Sequence, residues 1–578
     1  MSIMADILLT NGTVYTFDPA RPRANAIAFA NGRVVALDDD ARALRTARTE
    51  VIDLNGRAVV PGLVDHHLHF TGYAMGLARV QLEGARSLDE AVARVAMRAQ
   101  TAKPAEWILG AGWNHMDWLE PRFPTKEPLD RVAPNNPIAL DRKDGHSAWV
   151  NSAALRVANI TRDTLDPAGG VIERDAGGEP TGLLRENAAW LLDAVIGPAN
   201  QVRETELLEA LRNAHELGLT GIHNVEGAHA LKQFQNLRAQ GKLTLRVTEM
   251  IPADNLEHAI AVGLQTGFGD EFLRIGGVKI FADGALGSQT AHMLEPLEGQ
   301  PENRGVAITL PEKIEQLARA AARAGIMVVT HAIGDRAIRD VLDVYAKLRR
   351  EGFTTPFRIE HVQHLHPADL PRFRELNVIA SMQPIHATSD YRMADQLLGA
   401  RARYSYAFKT LLSAGATVIF GSDCPVETLD PLAGIHAAVT RERKNGEPRG
   451  GWYPGEKLGV ADAVRAYSTY PLTPSLSGKG HGDCVILSQD IFTIPPREIL
   501  NTRVDYTIVD GNIVYAACGR PLWSPFVVAR APTKHGSIQC NSHRSNWNNS
   551  SPKRARTRRW KRAASSAARM TRPCASFP

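Results

Sequence analysis

Between residues 59 and 423, short apolar runs recur, several closed by polar or ionisable side chains, with helix-like stretches between them. The runs are VVPGLVDHHLH (59–69), TGIHNVEG (220–227), LTLRVTEM (243–250), RIGGVKIFADG (274–284), IMVVTHA (326–332), FRIEHVQ (357–363), NVIASMQP (377–384) and ATVIFGSD (416–423). Alternation of strand and helix implies parallel pairing, because an intervening helix returns the chain to the same end of the sheet. Eight such units close into a barrel, and a barrel gathers the side chains at its C-terminal strand ends into one mouth. The fold expected is therefore α/β, a (β/α)8 TIM barrel spanning about residues 58–482.

The rest of the chain reads as additions to that barrel. Residues 1–57 and 483–519 are rich in short strands, with Asn11-Gly12, Asn31-Gly32, Asn55-Gly56 and Gly511-Asn512 as hairpin-type turns. Together they suggest a small β-sandwich layer built from both chain ends. The interval 70–219 is too long for a simple crossover and holds its own strand-like runs, EWILGAGWN and NPIALDRKDG. An α/β insertion after the first barrel strand follows. Residues 520–578 hold 13 Lys and Arg and no acid, with little apolar periodicity, so a basic, disordered tail is expected.

Charge and composition exclude several classes. Of the chain's net charge of +5, the tail's 13 positive residues leave the first 519 residues at −8, which removes the case for nucleic-acid binding by the body. No run of about 18 apolar residues occurs, so no membrane helix is expected, and the start lacks a basic region followed by a long apolar stretch. Five scattered cysteines fit neither a disulfide framework nor a Cys-based zinc site, and point to a reducing cytoplasm.

The chemistry lies at the strand ends. His67 and His69 stand two apart at the close of the first strand, where alternation puts both imidazoles on one face. Lys279, His331, His361 and Asp423 each stand near the end of a further strand. Four histidines and a carboxylate brought to one mouth make a nitrogen/oxygen site suited to zinc or another divalent metal. Lysine beside metal ions is repelled as an ammonium, but reaction with CO2 converts it to an anionic carbamate able to bridge two ions.

The pieces PGLVDHHLH, KDGHSAWVNSAAL, PTGLLREN, GGVKIFADGALGSQTA, THAIGDRAI, RIEHVQ and FGSDCPV occur in one order over residues 1–517. In this the chain resembles the amidohydrolase superfamily, specifically its N-substituted formamide deformylase-like (YtcJ-like, amidohydrolase 3) branch. The resemblance implies that His67, His69, N6-carboxylated Lys279, His331, His361 and Asp423 hold one or two metal ions, zinc or another divalent ion. It implies hydrolysis of a carbon–nitrogen bond, amide or N-formyl, in a small-molecule substrate by metal-activated water, with Asp423 as proton shuttle. Trp113, Asp144 and His146 resemble substrate-side positions, with knitting the insertion together as the plain alternative, while Asp283 and Arg336 either orient the ligands or cap loops. Ester, lactone or carbamate hydrolysis and deamination stay open on the same barrel, as does a non-catalytic metal-binding regulator; a homodimer also stays open. Two features depart from the pattern: a shortened stretch between Ser468 and Asp483, and the basic tail.

Overall fold

The computed structural model describes residues 4–517, apart from 78, 116–117, 143–146, 168–169, 187, 198–201, 288 and 469–480. The eight expected strands form: β1 (Leu63–Leu68), β2 (Leu219–Asn224), β3 (Arg246–Pro252), β4 (Leu273–Phe281), β5 (Met327–Ala332), β6 (Phe357–His361), β7 (Val378–Met382) and β8 (Thr417–Phe420). Neighbours pair parallel in chain order from β1 to β8. Helices between them bury one apolar face each. The helix Pro311–Arg323 begins with a proline, whose missing N–H is no loss in the first turn, and buries Ile314, Ala318, Ala321 and Ala322 at helical spacing. The helix Asp335–Arg350 does the same with Ile338, Val341, Leu342 and Tyr345.

The seam between β8 and β1 closes just beyond the strand ends. Asp423 N donates to His67 O at 2.7 Å, His69 N donates to Cys424 O at 2.7 Å, and Ser422 N donates to the Asp65 carboxylate at 3.0 Å. Gly421 makes this approach feasible, since a Cβ there would lie 2.5 Å from His67 N and 2.8 Å from Asp65 Oδ1. The seam therefore locks the segment carrying His67 and His69 directly to the one carrying Asp423.

Both chain ends contribute to one eight-stranded mixed sheet, in which Ala58–Pro61 pairs antiparallel with Cys484–Leu487. Arg246 ties this sheet to the barrel through a buried two-pronged pair with Asp483, at 2.7 and 2.9 Å. Of the Asn-Gly steps, Asn31-Gly32 turns a hairpin as expected, both residues adopting left-handed backbone. Two others differ. Asn11-Gly12 lies inside the continuous strand Ile7–Tyr15, at a break in register where a Cβ on Gly12 would meet Arg57 O at 2.5 Å. Asn55-Gly56 joins two segments that both run parallel to Ile7–Tyr15, so it is a jog and not a hairpin. Asn-Gly favours positive φ, and bulges and jogs use that preference as readily as hairpins do.

The insertion after β1 forms a separate six-stranded mixed sheet with helices on it. Its helix Leu88–Ala99 starts at Ser87, whose hydroxyl accepts from Glu90 N, while Glu90 returns a carboxylate oxygen to Arg86 N. Among the described residues no helix is long and apolar enough to cross a membrane.

Candidate metal centre

A cavity of about 360 Å³ opens at the C-terminal ends of the barrel strands, and His67, His69, Lys279, His331, His361 and Asp423 all line it. These six sequence-selected residues come from five different strand ends, as a barrel mouth requires. Ligand-type atoms of His67, His361 and Asp423 lie within 4.8 Å of one another, and all three residues are buried. Nε2 of His67 and Nε2 of His69 each lie 3.5 Å from Asp423 Oδ1. The His331 and His361 rings sit 4.5 Å apart, and the His67 and His361 rings 4.8 Å apart.

The surroundings fix which nitrogen each ring presents. His67 Nδ1 donates to Glu360 Oε2 at 2.5 Å, leaving Nε2 toward Asp423. His361 Nδ1 donates to the Gln383 carbonyl oxygen at 2.9 Å, freeing its Nε2. His331 is held the other way, with Nε2 donating to Gly284 O at 3.1 Å and Nδ1 left over. A histidine that ligates a metal generally spends its second nitrogen on such a partner, which holds ring angle and tautomer. Burial first, then the nearby Lys279 ammonium, keeps His67 well below the usual imidazole pKa. Burial likewise lowers His361, helped by His331 and His67, and brings His331 to about 4. Neutral imidazoles are the form that offers a lone pair to a metal ion.

The two non-histidine residues are poised in opposite senses. Burial brings Lys279 down to about 8, against the Glu360 and Asp423 carboxylates, which raise it. At Asp423 burial raises the carboxyl, but the hydrogen bond from His69 and the favourable electrostatic pull of the nearby His67 and His386 rings outweigh it, holding the group at about 2. The donor set is thus the neutral imidazoles of His67, His331 and His361, the His69 ring beside them, one carboxylate and one deprotonatable lysine, which suits a borderline divalent ion such as zinc. A second grouping, Glu271, His481 and Asp510, is more exposed. Arg33 and Arg246 already pair with its acids, so their positive charges oppose a cation there.

Sequence reasoning missed the support beneath the site. Arg358 and Glu360 are fully buried on β6 and pair with each other. Arg358 also donates to His66 O, to Ser381 Oγ at 3.0 Å and hydrogen-bonds His223 Nδ1 at 2.9 Å, so its guanidinium spans the barrel interior. Burial would raise the Glu360 carboxyl, yet Arg358 and Lys279 keep it below the ordinary carboxylate value. Arg358 and Glu360, charged and two apart with only apolar Ile359 between them on a buried strand, were the available signal. His386 was also missed; it lines the cavity from the segment after β7.

The remaining sequence-selected residues divide. Asp283 is fully buried and accepts from the backbone N–H groups of His292, Ile333 and Gly334 at 2.8–3.0 Å, with Oδ1 3.7 Å from His331 Nε2. It braces the turn that follows His331, and burial raises it to about 7 against those hydrogen bonds. Arg336 is not brought to the cluster: its side chain is 49 % exposed and pairs with Asp340 one turn along its helix. Trp113 is likewise elsewhere, fully buried in the insertion's own core against Trp118 and Trp149, with its indole N–H donated to Leu140 O at 2.7 Å. A large ring with a satisfied donor inside a small core packs the insertion. Asp144 and His146 lie outside the described residues.

Fold and cluster together define a parallel-barrel protein with a candidate metal site at the mouth. Residues 50–515 match the model of the amidohydrolase family, and the chain belongs to that family. It is 35 % identical to the Protein LONG AFTER FAR-RED 3 of Arabidopsis thaliana, over 89 % of this chain and 92 % of that one. It is 28 % identical to the N-substituted formamide deformylase of Arthrobacter pascens, over 90 % of this chain and all of the relative. Among solved structures, an uncharacterised metal-dependent hydrolase of Pyrococcus horikoshii superposes with a TM-score of 0.71 at 27 % identity, over 85 % of this chain and 99 % of the other.

Proposed function

We propose that the protein is a metal-dependent hydrolase that cleaves a carbon–nitrogen bond, amide or N-formyl, in a small molecule. The observation that carries this reading is the convergence of His67, His361 and Asp423 ligand atoms within 4.8 Å at a cavity lined also by His69, Lys279 and His331. The formamide deformylase relative supports the choice of bond, and the archaeal hydrolase supports the metal.

In this reading His67, His69, His331, His361, Asp423 and a carboxylated Lys279 hold one or two divalent ions. Such ions polarise a substrate carbonyl and bring the pKa of water toward neutrality. The chain's own residues do the rest. Asp423, ionised and at the edge of the cavity, takes the proton of the attacking water and hands it to the leaving nitrogen. Glu360 holds His67 in the tautomer that presents Nε2. Asp283 holds the turn after His331. Phe281, Leu286 and Met393 give the cavity an apolar wall for the organic part of the substrate.

Deamination by an acid three residues after His331 is disfavoured. That position is Gly334, where a Cβ would lie 2.1 Å from His292 O, leaving no room for a carboxylate side chain. The test is formate release from a panel of N-formyl amines and simple amides by metal-loaded protein, with chelator as control. Chelator-sensitive turnover of the panel is expected. Full metal content with no turnover of any member would overturn the reading and favour a metal-binding regulator.

A further inference from the structure

After β7 the chain passes through Gln383 into the short helix Pro384–Ser389, which presents His386 to the cavity. His386 is 7 % exposed. Its ring lies nearly parallel to that of His361, 13° between planes with centroids 6.3 Å apart. The side-chain amide N–H of Gln363 is 3.2 Å from His386 Nδ1 and donates to it. An Nδ1 that accepts has no proton, so in the neutral ring the proton sits on Nε2. That Nε2 has no hydrogen-bond partner among the described residues. It stands 3.7 Å from Asp423 Oδ2, beyond hydrogen-bond reach.

A buried N–H without an acceptor is a costly arrangement that calls for an explanation. Three roles could account for it. As a metal ligand, Nε2 would need a lone pair, and the bond from Gln363 puts the proton there instead. As a brace for Asp423, it stands too far off, and Asp423 already faces His69 and His67. The remaining role is donation to something that enters the cavity beside Asp423.

We infer that His386 is a catalytic residue whose Nε2–H donates to the carbonyl oxygen of the bound substrate; this rests on the hydrolase reading above. Water attacks the carbonyl carbon, the C=O π pair moves onto oxygen, and Asp423 takes the water proton. His386 keeps its own proton throughout, and its hydrogen bond strengthens as the oxygen becomes negative. When the C–N bond breaks, the electron pair returns to re-form the carbonyl and Asp423 delivers the proton to nitrogen. A donor held ready where charge develops, in a site shielded from water, stabilises the transition state more than the bound substrate.

The test compares His386→Phe, which keeps a ring without a donor, with His386→Gln, whose amide N–H can reach the same point. Both are made in the full metal-loaded protein. Four quantities are read: bound metal, kcat and KM on the hydrolysed substrate, and the calorimetric Kd of methylphosphonate, a tetrahedral anion. Expected for His386→Phe are full metal content, a kcat lower by about 10²–10³-fold with KM little changed, and weakened methylphosphonate binding. His386→Gln should recover a large part of both losses. If His386→Phe does not fold, His386→Asn, polar but too short to reach, takes its place with the same expectations.

Loss of metal would overturn the assignment by making His386 a ligand. Unchanged kcat and methylphosphonate affinity in His386→Phe, or His386→Gln no better than His386→Phe, would overturn it too. If the wild-type protein cleaves esters and no amide, the carbon–nitrogen reading fails while the same comparison on the ester still decides His386. If no substrate is turned over, methylphosphonate affinity alone decides it: weakened in His386→Phe supports the donor, unchanged removes it.

Discussion

Replacing Glu360 by Gln tests whether the support beneath the site is what shapes it. Glu360 is fully buried, accepts from His67 Nδ1 at 2.5 Å and pairs with the equally buried Arg358. The amide keeps the shape but removes the charge, so Arg358 loses the acidic partner it has among the described residues. Breaking a buried pair from one side typically costs about 3–5 kcal/mol, because the surviving charge stays desolvated and unmatched. The effect on metal is separate and smaller. His67 loses a charge-assisted partner for Nδ1, and losing such a partner typically weakens metal affinity about 10–100-fold. Urea unfolding of the metal-free protein reads the first quantity, and a competitive zinc titration of the folded protein reads the second. The double variant Arg358→Met with Glu360→Gln separates them. Removing the stranded guanidinium should restore part of the stability, partial because Ser381 and His66 O also lose a donor. It should restore none of the metal affinity. A Glu360→Gln protein with wild-type unfolding midpoint and wild-type zinc affinity would refute the reasoning.

Asp423→Asn should keep the fold and lose about 10²–10⁴-fold in kcat, since an amide cannot carry the proton; a loss of only a few-fold would move proton transfer to another residue. Lys279→Ala should lower the metal stoichiometry, and a short carboxylic acid added to the assay should recover activity by supplying the missing bridging anion; no recovery with acetate or propionate would argue against the carbamate. His215, far from the site in sequence and structure, reports on acid stability. Burial lowers it to about 4 from an ordinary 6.5, against the pull of its bond to Leu219 O. Between those values the unfolded chain holds the extra proton, so stability is complete above about pH 6.5 and falls as pH drops toward about 4. This residue contributes at most about 1.4 kcal/mol per pH unit to that slope. His215→Gln should flatten the dependence of unfolding free energy on pH over that interval; an unchanged slope would show that His215 titrates normally.

Strand count, strand direction and the mouth at which the polar groups meet were all legible in the chain. The reason is geometric: a helix between parallel strands returns every C-terminal end to one side, so residues far apart in sequence meet without further information. That is why His67, Lys279, His331, His361 and Asp423 could be selected together. Alternation failed as a guide where the backbone breaks it. His361 and Asp423 both have positive φ, at 73° and 60°, conformations that a β-strand does not use. The kink at His361 lets two consecutive residues serve one site, Glu360 from beneath and His361 at the rim.

Tertiary packing alone decided the rest. Gln363 is paired with His386 across 23 residues and Glu360 with His67 across 293, and nothing in local pattern specifies either contact. Trp113 carries the signature of a pocket aromatic, yet the insertion's own core needed a large side chain, and an apolar ring is worth the same in either place. Arg336 stands near the turn after His331 in sequence, but its long side chain follows the outer face of the helix to Asp340 and water. The sequence by itself determined which groups could reach the barrel mouth, because chain direction is a property of connectivity. Which of them face the cavity, and through which atom, depends on side-chain partners that only the folded barrel brings within reach.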